Sequence, residues 1–350
     1  MGIWRVGLAS LVRAGGWLSC AALALALGCS RPAEDAPVRV GCFPNVTHGQ
    51  ALAGRSLGWF DREVGAPVEW KAFNAGPSAM EALLTGALDL AYVGPNPAVN
   101  AFVRSKSSAL TVVAGVTSGG ASLVVREGSG IAKPEDLRGK RVASPQLGNT
   151  QDVALRHWLR AHGLESADKG GDVRVLPVQN PDTLTLFIRG DLDAAWVPEP
   201  WGARLVKEGG GRILLDERDL WEGGRFCTAL LVARAGFLET RRDAALRFVA
   251  AHVKVTVWMA EHPEEARRLV NEQFAKLTGK ALPEDVLASA FSRMEATYDP
   301  LSATVARSGR QAWELGYLPG EDAPDLTGLF DLSLLNEALR REGRAEVAVP

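Results

Sequence analysis

Two short stretches put small residues and neutral donors where a helix begins: Gly76-Pro77-Ser78 and Gly148-Asn149-Thr150. The first turn of a helix leaves backbone N–H groups unpaired, and the helix dipole adds partial positive charge there. Such an end can hold an anion without a formal countercharge. Three other stretches bring further side chains: Phe43, Asn45 and His48 in "FPNVTHGQ", Gly94-Pro95-Asn96, and Glu199 and Trp201 in "PEPW". None of these stretches holds an arginine or lysine. Neutral donors suit a ligand that must later be released. Each residue also has a plainer role. Ser78 and Thr150 are good N-caps with or without a ligand. His48 fits a solvated loop, and Asn96 can satisfy backbone groups in a Pro-flanked turn. Trp201 is either a cleft wall or packing. Glu199 accepts a hydrogen bond from an amine-bearing ligand, or caps structure away from it. The chain carries no H-E-x-x-H, G-x-S-x-G or G-x-x-x-x-G-K-[ST], so catalysis has no motif to stand on.

The elements that position these residues come in two copies. "GALDLAYVGPNP" begins at Gly86 and "GDLDAAWVPEPW" at Gly190, 104 residues later. Both fit Gly-x-Leu-Asp-x-Ala-aromatic-Val followed by a Pro-rich turn. Around each, the order is strand, helix, strand, helix, strand. The first unit runs through "VRVGCF", "THGQALAGRSLGWFDREVG", "VEWKAFN" and "GPSAMEALLTG". The second runs through "GKRVASP", "GNTQDVALRHWLRAHG", "VRVLPV" and "PDTLTLFIRG". This rhythm predicts an α/β fold with largely parallel sheet. Each echo is then the third strand of its unit, and its turn lies at the strand's carboxyl end, where open α/β sheets bind ligands. Two such ends facing across a cleft put Gly94–Pro97 opposite Pro198–Trp201. The last third is mostly helical, with Trp258 and Trp313 expected in the core and "EGRAEVAVP" as a frayed tail.

Composition narrows the function. The chain has 350 residues, 47% hydrophobic and 23% charged, with a formal net charge of −2. No basic excess points to nucleic acid as a partner. Residues 1–28 have Arg5 and Arg13, then the apolar run of "WLSCAALALALGCS", the pattern of an export signal. Small residues before Cys29 fit lipidation of that cysteine, although Ala26 stands where a leucine is usual. Plain cleavage with Cys29 as a bystander is the alternative. Residues 29–37 read as a tether. Export permits a Cys42–Cys227 disulfide, but two separate small buried residues is the reading preferred.

"GPSAMEALLTGALDLAYVGPNPAV", "KPEDLRGKRVASPQLGNTQDVALRHWL", "DLDAAWVPEPW" and the helical last third together resemble the ABC-transporter substrate-binding proteins of the aliphatic sulfonate, taurine and nitrate type. The resemblance implies a two-lobed periplasmic-binding-protein fold, type II-like, closing about a hinge. Residues 38–122 and 228–340 would form one lobe and 123–227 the other, with 341–350 as the tail. The crossings at "TSGGAS" and "RFCTAL" would be the hinge, where Gly119, Gly120 and Ala121 suit backbone motion. The implied ligand is a small organic anion, an aliphatic sulfonate or taurine, bound by Phe43, Asn45, His48, Gly76, Pro77, Ser78, Gly94, Asn96, Gly148, Asn149, Thr150, Glu199 and Trp201. The implied partners are an ABC permease with its ATPase and, through Cys29, a membrane. A monomer without metal or cofactor is expected. Nitrate, bicarbonate, a phosphonate or a pyrimidine vitamin precursor are alternative ligands. An exported enzyme and a sensor for a membrane kinase are the rival classes.

Overall fold

The computed structural model describes residues 36–348. The expected signal segment and Cys29 lie outside them. A first unit runs β1 (Val38–Cys42), α1 (Gly49–Leu57), α2 (Trp59–Val64), β2 (Val68–Ala72), α3 (Gly76–Leu84), β3 (Leu90–Val93) and α4 (Pro95–Arg104). Then β4 (Leu110–Gly119) passes through the single residue Gly120 into β5 (Ala121–Arg126). Gly119 and Gly120 have φ of 75° and 79°, left-handed backbone that favours glycine. A second unit runs β6 (Arg141–Ser144), α5 (Thr150–Ala161), β7 (Arg174–Pro177), α6 (Asn180–Ile188), β8 (Ala194–Pro198), α7 (Trp201–Lys207) and β9 (Gly211–Asp216). The chain returns through β10 (Cys227–Arg234) to α8 (Ala235–Thr240), α9 (Arg242–Glu261), α10 (Pro263–Thr278) and α11 (Glu284–Phe291). It ends with β11 (Met294–Ala296), α12 (Ser302–Glu314) and α13 (Ser333–Arg341). None of the described helices is long and apolar enough to cross a membrane.

The strands form two sheets, in the orders β11-β4-β10-β3-β1-β2 and β7-β6-β8-β5-β9. Helices cover both faces of each, the α/β arrangement expected. Phe60 and Phe248 pack on one face of the first sheet and Leu83 and Phe102 on the other. Trp158 of α5 covers one face of the second sheet, and Leu184 and Phe187 of α6 the other. The sheets are mixed rather than largely parallel. Within the units β1–β2, β1–β3, β6–β7 and β6–β8 are parallel, while β10 and β5 add antiparallel strands. A parallel neighbour needs a crossover of a dozen or more residues. β5 and β10, by which the chain enters each sheet from the other, have no such crossover and run the other way, whereas β4 follows the α4 crossover and runs with β3.

The repeated Leu-Asp has a physical reason. Asp89 accepts three bonds from Arg39, at its backbone N (3.0 Å), Nε (3.0 Å) and Nη2 (2.7 Å), and one from Arg234 Nη2 at 3.1 Å. Asp193 repeats the pattern with Arg141 (3.0, 3.1 and 3.2 Å) and Arg126 Nη2 (3.4 Å). In both units one arginine belongs to the first strand and the other ends the antiparallel neighbour. Burial works to raise both carboxyls, but the arginines outweigh it and hold them below their ordinary value. The acid thus ties three strands together at the edge away from the Pro-rich turns.

The aromatics of the echo, Tyr92 and Trp196, are fully buried. Trp196 Nε1 donates to Glu217 Oε2 at 2.8 Å. Burial pushes the Glu217 carboxyl from 4.5 up to about 7. The unfolded chain releases this proton first as pH rises. The associated stability is therefore full below 4.5 and lost by about 7. Glu217→Gln should flatten that slope, removing a fall of at most about 3 kcal/mol. Urea titrations across this range check it, and parallel curves for both proteins would refute it.

Two further points differ from or extend the sequence reading. Val347 is pinned rather than frayed. Its N–H donates to Asn336 Oδ1 at 2.9 Å, and its carbonyl accepts from Asn336 Nδ2 at 3.0 Å. Cys42 and Cys227 are free and buried, and burial pushes the Cys42 thiol up to about 12.

Candidate functional site

The carboxyl ends of the two units meet. Gly94 caps the start of α4 and Thr150 is the first residue of α5. A Cβ built on Gly94 would lie 2.3 Å from Thr150 Oγ1. Gly94 itself has φ −70° and ψ 158°, open to any residue. Glycine is needed there by the neighbour, not by the backbone. Thr150 is buried, and its hydroxyl has no hydrogen-bond partner among the described residues. Asn149 is the N-cap residue of α5, but its side chain caps nothing. Gly148 has φ 71° and donates its N–H to Asp152 Oδ2 at 2.9 Å. Asp152 also accepts from Ser144 Oγ (2.7 Å), Arg156 Nε (3.1 Å) and Tyr317 OH (3.2 Å). That acid is saturated by the protein, and the free group at the head of α5 is the Thr150 hydroxyl.

The aromatic stretches also meet. Trp201 Nε1 donates to Asn45 Oδ1 at 2.9 Å, joining the α7 start to the loop after β1. Both residues are buried. Phe43 stacks on His48 with ring centroids 4.6 Å apart. His48 is not the solvated loop residue of the plainer expectation. It is buried, and its Nδ1 accepts from the Phe43 N–H at 3.1 Å. Burial lowers its pKa to about 3, so the ring is neutral.

Three expected contacts are used inside the protein. Asn96 Nδ2 donates to Ser308 O at 3.1 Å, and its Oδ1 accepts from Ser308 Oγ at 2.6 Å. This carboxamide locks α4 to α12. Glu199 takes the second of its two roles. It is fully buried, accepting from the Ala203 N–H at 2.9 Å and from Arg293 Nε at 3.0 Å. An amine ligand would have to displace that arginine. Ser78 is the third residue of α3, not its cap, and its hydroxyl donates to Ala75 O at 2.9 Å. Gly76 is buried against Pro97, whose Cγ lies 2.3 Å from where a Cβ would be. Pro77 lines a more superficial cavity of about 500 Å³ with Met80, Leu84, Pro97 and Leu147.

Four polar side chains at this edge were not among the expected site residues. Asn74, after β2, donates to Gln179 Oε1, before α6, at 2.7 Å. Asn180 is the first residue of α6 and Gln50 the second of α1. The repeat held a signal for Asn180. Asn180-Pro181 stands 104 residues after Gly76-Pro77, as Gly190 does after Gly86. Six buried side-chain polar atoms lack a partner among the described residues. Three of them, Gln50 Oε1, Thr150 Oγ1 and Asn180 Oδ1, open the helices that follow β1, β6 and β7. A fourth, Ser122 Oγ, lies beside the Gly119–Gly120 crossing. An unpaired buried polar atom costs about 1–3 kcal/mol, and four along facing strand ends mark where a polar ligand would repay it.

Comparison with known proteins gives a family and a shared fold. A family model described as the NMT1-like family matches residues 31–273. The taurine-binding periplasmic protein of Escherichia coli (strain K12) is 29% identical over 231 residues, 63% of this chain and 67% of that protein. The crystal structure of the periplasmic aliphatic sulphonate binding protein SsuA from Escherichia coli superposes with a TM-score of 0.66. It is 25% identical and covers 84% of this chain and 91% of that one. The periplasmic nitrate-binding protein NrtA from Synechocystis PCC 6803 shares the fold at a TM-score of 0.73, with 18% identity and coverage of 87% and 88%.

Proposed function

The chain belongs to the NMT1-like family, and on that premise we propose that it is an extracytoplasmic solute receptor for a small organic anion, an aliphatic sulfonate or taurine. Its two lobes close on the ligand, and the closed form hands it to an ABC permease driven by an ATPase. Cys29 is lipidated and holds the receptor at the membrane surface, with residues 29–37 as the tether. It binds without catalysing a reaction, and it acts as a monomer.

The observation that carries this reading is the set of unpartnered buried polar atoms at the carboxyl edges of both units: Gln50 Oε1, Ser122 Oγ, Thr150 Oγ1 and Asn180 Oδ1. The start of α5 supplies partial positive charge and a free hydroxyl to an anionic head group. Phe43 and Trp201 supply apolar surface beside it. The site stretches hold no arginine or lysine, and Arg293 is engaged by Glu199.

The test is thermal unfolding of the full-length protein with taurine, alkanesulfonates, nitrate, bicarbonate, phosphonates and pyrimidines. A ligand at about 100 times its Kd should add about 2.7 kcal/mol and raise the midpoint. A shift with sulfonates is the expected result. A shift with nitrate, bicarbonate, phosphonates or pyrimidines alone would overturn the ligand class while leaving a receptor. Turnover of any of them would overturn the receptor reading itself.

A further inference from the structure

α5 of the second unit packs against α12, which the Asn96–Ser308 bonds hold to the first. The face that α5 turns to this seam carries Ala154, Trp158 and Ala161. That spacing of four and then three residues keeps them on one side of the helix. α12 answers with Arg307 and Gln311, again four apart. Two alanines stand where longer side chains would close the gap, and a cavity of about 150 Å³ remains. Trp221, from the segment between β9 and β10, completes its wall. Ala161 and His162 are exposed at its mouth, so a ligand can enter.

The lining is aromatic: Trp158, Trp221 and the imidazoles of His157 and His162. Two charged groups beside it are used by the protein. Glu217 Oε2 accepts from Trp196 Nε1 at 2.8 Å. Arg307 Nη1 donates to Leu220 O at 3.4 Å, and its guanidinium lies 4.5 Å over the Trp221 ring. Gln311 differs. It is only 9% exposed and it lines the cavity, yet its carboxamide makes no hydrogen bond among the described residues. Buried polar side chains are nearly always paired, and this one opens on the cavity. A carboxamide both donates, through its NH₂, and accepts, through its oxygen. A cavity of about 150 Å³ takes one six-membered ring, and contacts between rings favour an aromatic occupant over a saturated one.

We infer that this seam cavity is a second binding site, for a small neutral aromatic carboxamide. Its ring lies among Trp158, Trp221 and the two imidazoles, and its amide pairs with that of Gln311. Trp158 stands eight residues along α5 from Thr150, about 12 Å at the helical rise. A neutral amide bound there needs no sulfonate receptor at the strand ends.

The test is a ligand-observed nuclear magnetic resonance titration of the full-length protein with benzamide, cyclohexanecarboxamide and benzene. Benzamide should bind with a Kd of about 1 mM or tighter, and cyclohexanecarboxamide about 3- to 10-fold more weakly. Gln311→Leu should weaken benzamide about 10-fold and leave benzene within about threefold. Ala154→Leu, which fills the cavity from the other helix, should abolish binding of both, and it decides the matter if the leucine at 311 prevents folding. Excess taurine should displace neither. No benzamide binding at about 10 mM, ten times that Kd, would overturn the inference. Displacement by taurine would overturn it too, by placing the ring between the strand ends. So would unchanged benzamide affinity in either folded variant, which would place the ring elsewhere on the surface.

Discussion

Gly94→Val should weaken ligand binding by about 100-fold while leaving the ligand-free protein folded. The glycine has an ordinary backbone, φ −70° and ψ 158°, so valine meets no local strain. Even the first carbon of its side chain would fall 2.3 Å from Thr150 Oγ1 and 3.3 Å from Thr150 Cβ. Valine adds two more methyls to that gap. The clash exists only while α4 and α5 stand head to head. On the proposed closure mechanism, ligand-free protein escapes it by parting the two units, so its unfolding free energy should change by no more than about 1 kcal/mol, the scale of an N-cap substitution. Ligand-bound protein cannot part them. Titration calorimetry, with a denaturation curve of the ligand-free variant, separates the two states. Unchanged affinity would mean that binding does not bring Gly94 and Thr150 together. Loss of the fold in the absence of ligand would make Gly94 a core residue instead.

Arg293→Ala should destabilise the fold by about 3–5 kcal/mol near neutral pH. Glu199 is fully buried, and among the described residues Arg293 is its only cationic hydrogen-bond partner, at 3.0 Å. Burial already outweighs that arginine and raises the Glu199 carboxyl above its ordinary value. Removing the guanidinium raises it further. Because the folded state then holds the proton more tightly than the unfolded one, the damage should grow as pH rises and shrink in acid. Adding Glu199→Gln to Arg293→Ala should recover part of the loss, since the amide oxygen still accepts from the Ala203 N–H and leaves no buried charge. Denaturation curves at two pH values decide it. A pH-independent loss, equal in the single and double variants, would assign the effect to packing around Arg293 and not to the ion pair.

Much of this molecule is legible before any coordinates. The two strand–helix–strand–helix–strand units follow from local rules: apolar runs set the strands, and a glycine such as Gly65 ends a helix in left-handed backbone, although the break at Gly58 that splits α1 from α2 was not expected. The spacing that repeats Leu-Asp and the aromatic also located both carboxyl-edge turns. What the repeat could not reveal was the arginine partners of Asp89 and Asp193, because each acid joins strands far apart along the chain.

The roles of the site residues belong to the tertiary structure. Thr150 and Asn96 are both small polar residues beside a helix start, and their types promise similar things. Packing separates them: Ser308, some two hundred residues from Asn96, consumes its amide, while nothing among the described residues takes the Thr150 hydroxyl. Glu199 looked like a ligand group until Arg293 was brought to it. His48 looked solvated until the loop after β1 folded over it. Sequence alone determined the elements, their order and the strand ends at which open α/β sheets place their ligand sites, because those depend on periodicity and turn chemistry. Which polar atoms at that edge remain free was decided only by the fold. A hydrogen bond between distant residues leaves no trace in the spacing of either one.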